Sequence, residues 1–313
     1  MNFKRAKIFC IASYFLDNAL PLKHNTDIMN RLSISDRTRI AACLVEGNSI
    51  RATCRLTGAA KGTVLKLLAE LGEACAAYHD KHVRRVSVRR VQCDEIWSFC
   101  YGKDKNLTQE QQEAGAGTVW TWTAIDADTK LILSYVCGDR DARFALEFMK
   151  DLAARVTTRI QITTDGFKLY ADAIEGVFGI DVDYAQLIKL YGNPGTPDTR
   201  YSPGEVISTE TVVKVGRPDP RHISTSFVER QNLTMRMSMR RFTRLTNGFS
   251  KKVENHEAAI ALHFMYYNFC RVHKTLRVTP AMEAGLAHHV WTIEELVSLM
   301  EPKSIMDGLK YAV

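Results

Sequence analysis

Three carboxylates stand out by the company they keep. Asp94 falls inside the mainly apolar segment 91–99, between Cys93 and the pair Ile96 and Trp97. Asp165 closes the hydrophobic segment 160–164 and is followed by Gly166. Glu229 lies in Ser226-Phe227-Val228-Glu229-Arg230-Gln231-Asn232, 64 residues beyond Asp165. An ionised carboxylate in the middle of a strand is costly unless it is paired or meets a cation. The end of a buried strand before a glycine is where α/β sheets present ligand-binding groups. Two strand carboxylates and one helix carboxylate that converge would hold two divalent ions roughly 3.5–4 Å apart, which activate the attacking oxygen and stabilise the leaving one in phosphoryl transfer. Oxygen ligands alone suit Mg²⁺ or Mn²⁺ rather than zinc. Each acid also has an ordinary reading on its own: a paired structural acid at Asp94, a turn former at Asp165, a helix-surface ion pair at Glu229.

The elements that must position these acids follow from periodicity. Segment 91–99 reads as a strand, as do 118–125 and 131–137, which are joined by the turn-like Asp126-Ala127-Asp128-Thr129. Phe144, Phe148, Leu152 and Val156 recur at four-residue spacing and predict a helix over 142–156. A strand at 160–164, a helix at 168–175 and a strand at 182–186 complete a β-β-β-α-β-α-β order, which implies an α/β layer domain. Five of the eight prolines fall between 194 and 220, so 191–221 reads as a loop-rich insertion. Helical pattern resumes near Ser226 and continues to Tyr267 with a break at Asn247-Gly248, and Pro280 starts one more helix. By strand alternation Glu95 points to the sheet face opposite Asp94 and is a supporting candidate only. Glu210 is the main rival of Glu229, although its surroundings look like a loop. Trp97, Trp120 and Trp122 fall on strands and read as sheet core, and Met235, Met237 and Met239 as packing.

Upstream of these elements lie three short helical patterns. Ser35 is placed to cap a first, running through Ile40 and Leu44 to Gly47-Asn48. Ser49 caps a second that stops at Gly58, and a third starts near Lys61 with Val64, Leu67, Leu68 and Leu71 on one face. Helix, tight glycine turn and helix is the layout of a helix-turn-helix, whose last helix leads into the major groove with its N-terminal residues. Here those are Lys61, Thr63 and Lys66. A plain three-helix bundle is the alternative. Lys81, Arg84, Arg85, Arg89 and Arg90 follow with no acid from 81 to 90, a connector suited to phosphate contact. A second acid-free stretch, 230–252, carries Arg230, Arg236, Arg240, Arg241, Arg244, Lys251 and Lys252. Arg236 is seven residues past Glu229, two turns along the same helix face.

With these residues in view, the chain resembles the bacterial DDE transposases of the insertion-sequence-one family over roughly 29–289. The resemblance rests on Gly47-Asn48-Ser49-Ile50-Arg51-Ala52-Thr53, on Cys93-Asp94-Glu95-Ile96-Trp97-Ser98-Phe99 and on Thr163-Thr164-Asp165-Gly166. It continues through the Glu229 helix and Tyr266-Tyr267-Asn268-Phe269-Cys270-Arg271-Val272-His273-Lys274-Thr275-Leu276 ahead of Thr279-Pro280. It implies a ribonuclease-H-like mixed sheet flanked by helices, with an N-terminal all-α helix-turn-helix domain. Asp94, Asp165 and Glu229 then form the triad for two Mg²⁺ or Mn²⁺ ions, and Arg236, with Asn232 and Arg240 as possible neighbours, holds phosphate beside it. The partners implied are the terminal inverted repeats and a target DNA, with a homodimer or larger synaptic complex. Two departures accompany the resemblance. No cysteine pattern for a zinc segment precedes the helices, and the Asp165-to-Glu229 spacing is longer than the family's compact form.

The expected organisation is an N-terminal extension of uncertain status at 1–28, a helix-turn-helix domain at 29–80, a basic linker at 81–90, a catalytic domain at 91–289 and a C-terminal tail at 290–313. Residues 1–25 superficially resemble a secretory signal but lack a clean cleavage site, and read better as an over-extended start, with a short packed helix as the alternative. The location expected is the bacterial cytoplasm, with no membrane segment, because no apolar run approaches the ~18–20 residues a span needs. Lys and Arg number 42 against 35 Asp and Glu, and this net +7 favours a polyanionic partner without proving one. The eight cysteines form no CxxC pair, which disfavours zinc knuckles and fits reduced thiols. No nucleotide-cofactor loop or Ser-His-Asp arrangement is present. The rival functions are a metal nuclease that cuts without joining and a non-catalytic DNA-binding descendant of a transposase. His273 is open between phosphate contact and a structural role.

Overall fold

A computed structural model describes residues 32–192, 206–243 and 246–301. The readings made for 1–28, Arg244 and Pro194, Pro197 and Pro203 lie outside these residues. The chain begins with α1 (Ile34–Val45), α2 (Ile50–Thr57) and α3 (Lys61–His82). Then come β1 (Arg90–Cys100), α4 (Gln109–Glu113), β2 (Gly117–Asp126), β3 (Ile132–Gly138), α5 (Ala142–Ala153), β4 (Ile160–Thr164), α6 (Leu169–Phe178), β5 (Val182–Tyr191) and β6 (Val206–Val215). The last elements are α7 (Ser226–Ser238), α8 (Val253–Met265), α9 (Pro280–Glu283) and α10 (Ile293–Ser298). The described residues gather into two compact units, one of 32–83, 97–120 and 233–301, the other of 84–96 and 121–232.

In the first unit the helix boundaries have identifiable causes. Ser33, rather than Ser35, caps α1, its Oγ accepting the Asp36 N–H at 3.1 Å. Ser49 caps α2 as expected, accepting from the Ala52 N–H at 3.1 Å, and Gly58 ends it in the left-handed region at φ 74°. Helix α3 starts at Lys61 but runs 22 residues, absorbing Lys81 and His82 of the expected linker. Its buried stripe continues past Leu71 through Gly72, Cys75, Ala76 and His79. Gly72 permits α3 and α8 to pack backbone to backbone, since a Cβ there would sit 2.5 Å from the Cβ of Ala258. The segment expected as a tail from 290 contains α10, which packs on α1, and Arg37 reaches Glu301 at 2.6 Å. Helices α1 to α3 therefore share a core with later helices instead of standing alone.

A buried polar chain ties this unit together. Ser98 donates to the Val119 carbonyl at 2.9 Å, so its oxygen accepts from Nε2–H of the fully buried His256 at 2.9 Å. His256 Nδ1 then accepts from Ser250 Oγ at 2.9 Å, and Ser250 Oγ from Arg241 Nη1 at 2.9 Å. Burial pushes the His256 imidazole down to about 3. The helical run expected from Ser226 breaks at Ser238, earlier than Asn247, and one 3₁₀ turn (Arg240–Phe242) follows. Met235 and Met239 are buried, but Met237 is 73% exposed and does not serve packing.

The second unit holds the body of a mixed six-stranded sheet in the order β3-β2-β1-β4-β5-β6, with helices flanking it. Strands β1, β4 and β5 are parallel neighbours, and β6 runs antiparallel to β5. The expected β-β-β-α-β-α-β order is found with two additions, the short α4 between β1 and β2 and the strand β6 after β5, and β4 falls at the predicted residues. Residues 206–215 correct the loop expected across 191–221. They form a strand paired with β5 from Tyr184 to Tyr191, which lengthens β5 beyond the predicted Gln186. Trp122, Phe148, Tyr170, Tyr184 and Ile162 fill the core, whereas Trp97 and Trp120 are half-buried. No helix among the described residues is long and apolar enough to cross a membrane.

Candidate active site

Strand β1 runs beside β4 with Gln92 opposite Thr163. Two residues past that pair come Asp94, still on β1, and Asp165, the first residue after β4, so the parallel register brings both acids to the place at the sheet's centre where β4 ends. The Asp165 carboxylate folds onto its own turn, Oδ1 accepting the Phe167 N–H at 2.9 Å. Gly166 keeps that turn close to β5, since a Cβ there would sit 3.1 Å from Ile188 Cγ1.

Helix α7 is fastened to β1 by a residue that the sequence did not single out. The buried Gln92 Oε1 accepts the N–H groups of Phe227 and Val228 at 2.8 and 3.1 Å, satisfying the open start of α7. One turn beyond Glu229, Asn232 Nδ2 donates to Asp94 Oδ2 at 2.8 Å. Glu229 itself is half exposed. Its Oε1 accepts from Thr225 Oγ1 at 2.6 Å and pairs with Lys189 on β5. Nothing in the local sequence context of Lys189, Thr225 or Gln92 marks them as neighbours of the acids.

Electrostatics bind the acids into one system. Burial, followed by the charges of Glu95 and Asp165, pushes the Asp94 carboxyl up to about 7. Glu229 adds to that rise, and the Glu95 N–H bond to Asp94 Oδ1 at 2.9 Å opposes it. Glu95 takes the opposite side as strand alternation requires. Its buried carboxylate pairs with Arg140 at 2.6 Å and accepts from Tyr170 OH at 2.9 Å. Burial raises Glu95 above the usual carboxylate range while Arg140 opposes the shift.

Among the described residues no three His, Cys, Asp or Glu side chains stand close enough to hold a metal as they are. The donor chemistry nevertheless fits a hard divalent cation. The acids are oxygen donors in a buried setting, and their mutual repulsion is what a cation relieves. Glu229 would have to leave Lys189 to join them.

The basic candidates divide. Lys61 and Lys66 are exposed on the first turns of α3, Lys66 3.8 Å from Glu70, and Thr63 is half-buried. Arg85 is exposed at φ 56°, and Arg240 is exposed. Arg84, expected on phosphate, lies 3.8 Å from Asp151 and is used within the fold. Arg236 is half-buried near the end of α7. Glu210, the rival acid, is exposed on edge strand β6 opposite Ile188. His273 contacts Thr275 Oγ1 at 3.0 Å and takes part in a turn with Val278. All seven cysteines among the described residues are free.

The chain matches no protein-family model and no curated protein. Among solved structures it is similar to piggyBac transposase in a synaptic complex with hairpin DNA, at 9% identity and a TM-score of 0.41, over 93% of this chain and 76% of that one. It is also similar to the Mos1 transposase strand transfer complex, at 11% identity and a TM-score of 0.22, over 76% of this chain and 79% of that one. A third is Mos1 transposase in a paired-end complex with left transposon end, at 11% identity and 0.20, over 49% and 60%.

Proposed function

We propose that this chain is a DDE transposase with a ribonuclease-H-like core, acting on DNA through two Mg²⁺ or Mn²⁺ ions held by Asp94, Asp165 and Glu229. The observation that carries the reading is the placement of Asp94 on β1 and of Asp165 directly after the adjacent parallel strand β4, with α7 fastened to β1 through Gln92 and Asn232. The ion pair, when bound, supplies activation of the attacking oxygen and stabilisation of the leaving one. The chain's own residues do the positioning. The strands hold the two aspartates, and the Asn232 amide and Glu95 N–H orient the Asp94 carboxylate. Arg140 neutralises Glu95, so one fewer anion opposes an incoming phosphate. Lys189 balances Glu229 until that acid is drawn to the site.

In this reading water first cleaves the phosphodiester at each element end and frees a 3′-hydroxyl. That hydroxyl then attacks target DNA in line, without a covalent protein–DNA intermediate. Lys61, Thr63 and Lys66 at the start of α3 read the terminal inverted repeats as a helix-turn-helix. Arg85, Arg236 and Arg240 contact phosphate, and two copies or more hold the two ends together inside the cell. The test is a strand-transfer assay with Mg²⁺ or Mn²⁺, the gene's flanking DNA ends and a supercoiled target. Asp94→Asn, Asp165→Asn and Glu229→Gln should each abolish joining while DNA binding persists. Nicking without joining would make the chain a nuclease, and binding with neither activity a DNA-binding relic.

A further inference from the structure

Asn232 is 8% exposed, and its amide has two ends with different fates. Nδ2 donates to Asp94 Oδ2 at 2.8 Å, whereas Oδ1 is buried without any hydrogen-bond partner. When Asp94 is ionised, as it must be to hold a cation, it only accepts, so the amide nitrogen faces Asp94 and the oxygen is left for another partner. A buried acceptor left empty forfeits its hydration with nothing in return. A side chain needed only to steady Asp94 could avoid that cost by presenting a donor alone. Covalent geometry keeps the orphan oxygen close to the Asp94 carboxylate, and Asn232 lies one helical turn from Glu229 on α7. Neutral amide oxygens are ordinary ligands of hard divalent cations.

We propose that Asn232 is a neutral oxygen donor of the cation site, its Nδ2 holding Asp94 and its Oδ1 offered to the ion beside that carboxylate. The inference rests on the metal-dependent reading above and adds a fourth group to its three acids. A neutral donor suits this place, because a further carboxylate beside Asp94, Asp165 and Glu95 would increase a repulsion already present. It also gives the ion a ligand on α7 while Glu229 is still paired with Lys189.

The test uses Mn²⁺ and the full chain. Binding is followed by the loss of the free-ion electron paramagnetic resonance signal, and ligation by carbon hyperfine coupling in protein grown with asparagine labelled with ¹³C at the side-chain carbonyl. Wild type should take up Mn²⁺ and show the coupling. The near-isosteric Asn232→Asp should lose the coupling while still binding the ion. Asn232→Ala should weaken Mn²⁺ binding roughly 10- to 100-fold, the range for losing a group that ligates or orients a ligand. Mn²⁺ bound by wild type with no asparagine coupling, or coupling that survives Asn232→Asp, overturns the inference. So does unchanged affinity in Asn232→Ala. If Asn232→Ala fails to fold, the labelled wild type and Asn232→Asp decide alone. Failure of the underlying reading looks different: wild type would take up no Mn²⁺, or Asp165→Asn would bind it as well as wild type.

Discussion

Replacing Asp94 by asparagine should stabilise the ion-free protein, and should do so increasingly as pH rises. The Asp94 carboxyl is lifted from an ordinary 3.8 to about 7, chiefly by burial and then by Glu95 and Asp165. The native state therefore holds the proton more tightly than the unfolded chain. Native stability falls as pH climbs from the unfolded value to the folded one, and the loss is complete above about 7. A shift of about 3 units at ~1.4 kcal/mol per unit sets a ceiling of roughly 4 kcal/mol. Asparagine removes this penalty but forfeits the charged part of the bonds from Asn232 Nδ2 and the Glu95 N–H, about 1 kcal/mol. Glu95, raised chiefly by burial, is present in both proteins. The assay is urea unfolding of wild type and Asp94→Asn in chelator, from about pH 5 to about pH 8.5. The stability difference in favour of the variant should grow by about 2–3 kcal/mol across that range. Saturating Mn²⁺ should stabilise wild type selectively and shrink the gap. Parallel pH profiles in chelator would refute the claim that Asp94 is a carboxylate strained by its neighbours.

Three further outcomes are expected. Gly72→Val should lower the melting temperature, because its side chain must displace Ala258 where α3 and α8 touch, and overpacking of this kind costs ~1–3 kcal/mol or more; calorimetry reads the shift. Gln92→Leu should cost about 1–3 kcal/mol for each α7 N–H left unpaired, Phe227 and Val228, and hydrogen exchange at those two amides should quicken if Gln92 is their partner. His256, held down to about 3, should stay neutral and protonated on Nε2 through the mildly acidic range; its stabilising share is present above the ordinary 6.5 and fades only as pH drops toward 3. Imidazole ¹⁵N shifts that titrate near 6.5 would contradict the Ser98–His256–Ser250 chain.

What the sequence made legible was whatever depends on neighbours close along the chain. Ser49 and Gly58 bound α2 by local capping chemistry, and β4 appears at its predicted residues because its apolar run is short and sharply ended by Asp165-Gly166. Strand β6 was hidden by prolines on either side, although Val206, Ile207, Val212, Val213 and Val215 carried a β-branched signal. Strand β5 ran past its predicted end because its partner there, β6, exists only through that long pairing. Arg84 looked like a free cation until the fold brought Asp151 to it. Gln92 was invisible in kind: a glutamine in a strand says nothing until a helix start 135 residues away arrives at its oxygen.

That last contact also accounts for where α7 begins despite the long gap between Asp165 and Glu229. The 64 residues from Asp165 to Glu229 include α6, β5 and β6, so spacing along the chain does not by itself place Glu229. Glu229 is placed instead by the start of its own helix, bound to the buried Gln92 two residues ahead of Asp94 on β1, and by Asn232 on Asp94 itself. The insertion can therefore lengthen without moving α7, provided β1 keeps Gln92 in line with Asp94. Local anchoring on β1, rather than spacing along the chain, sets where α7 begins, and in the proposed site a change at Gln92 should disturb Glu229 and Asn232 more than a few residues added between β5 and β6.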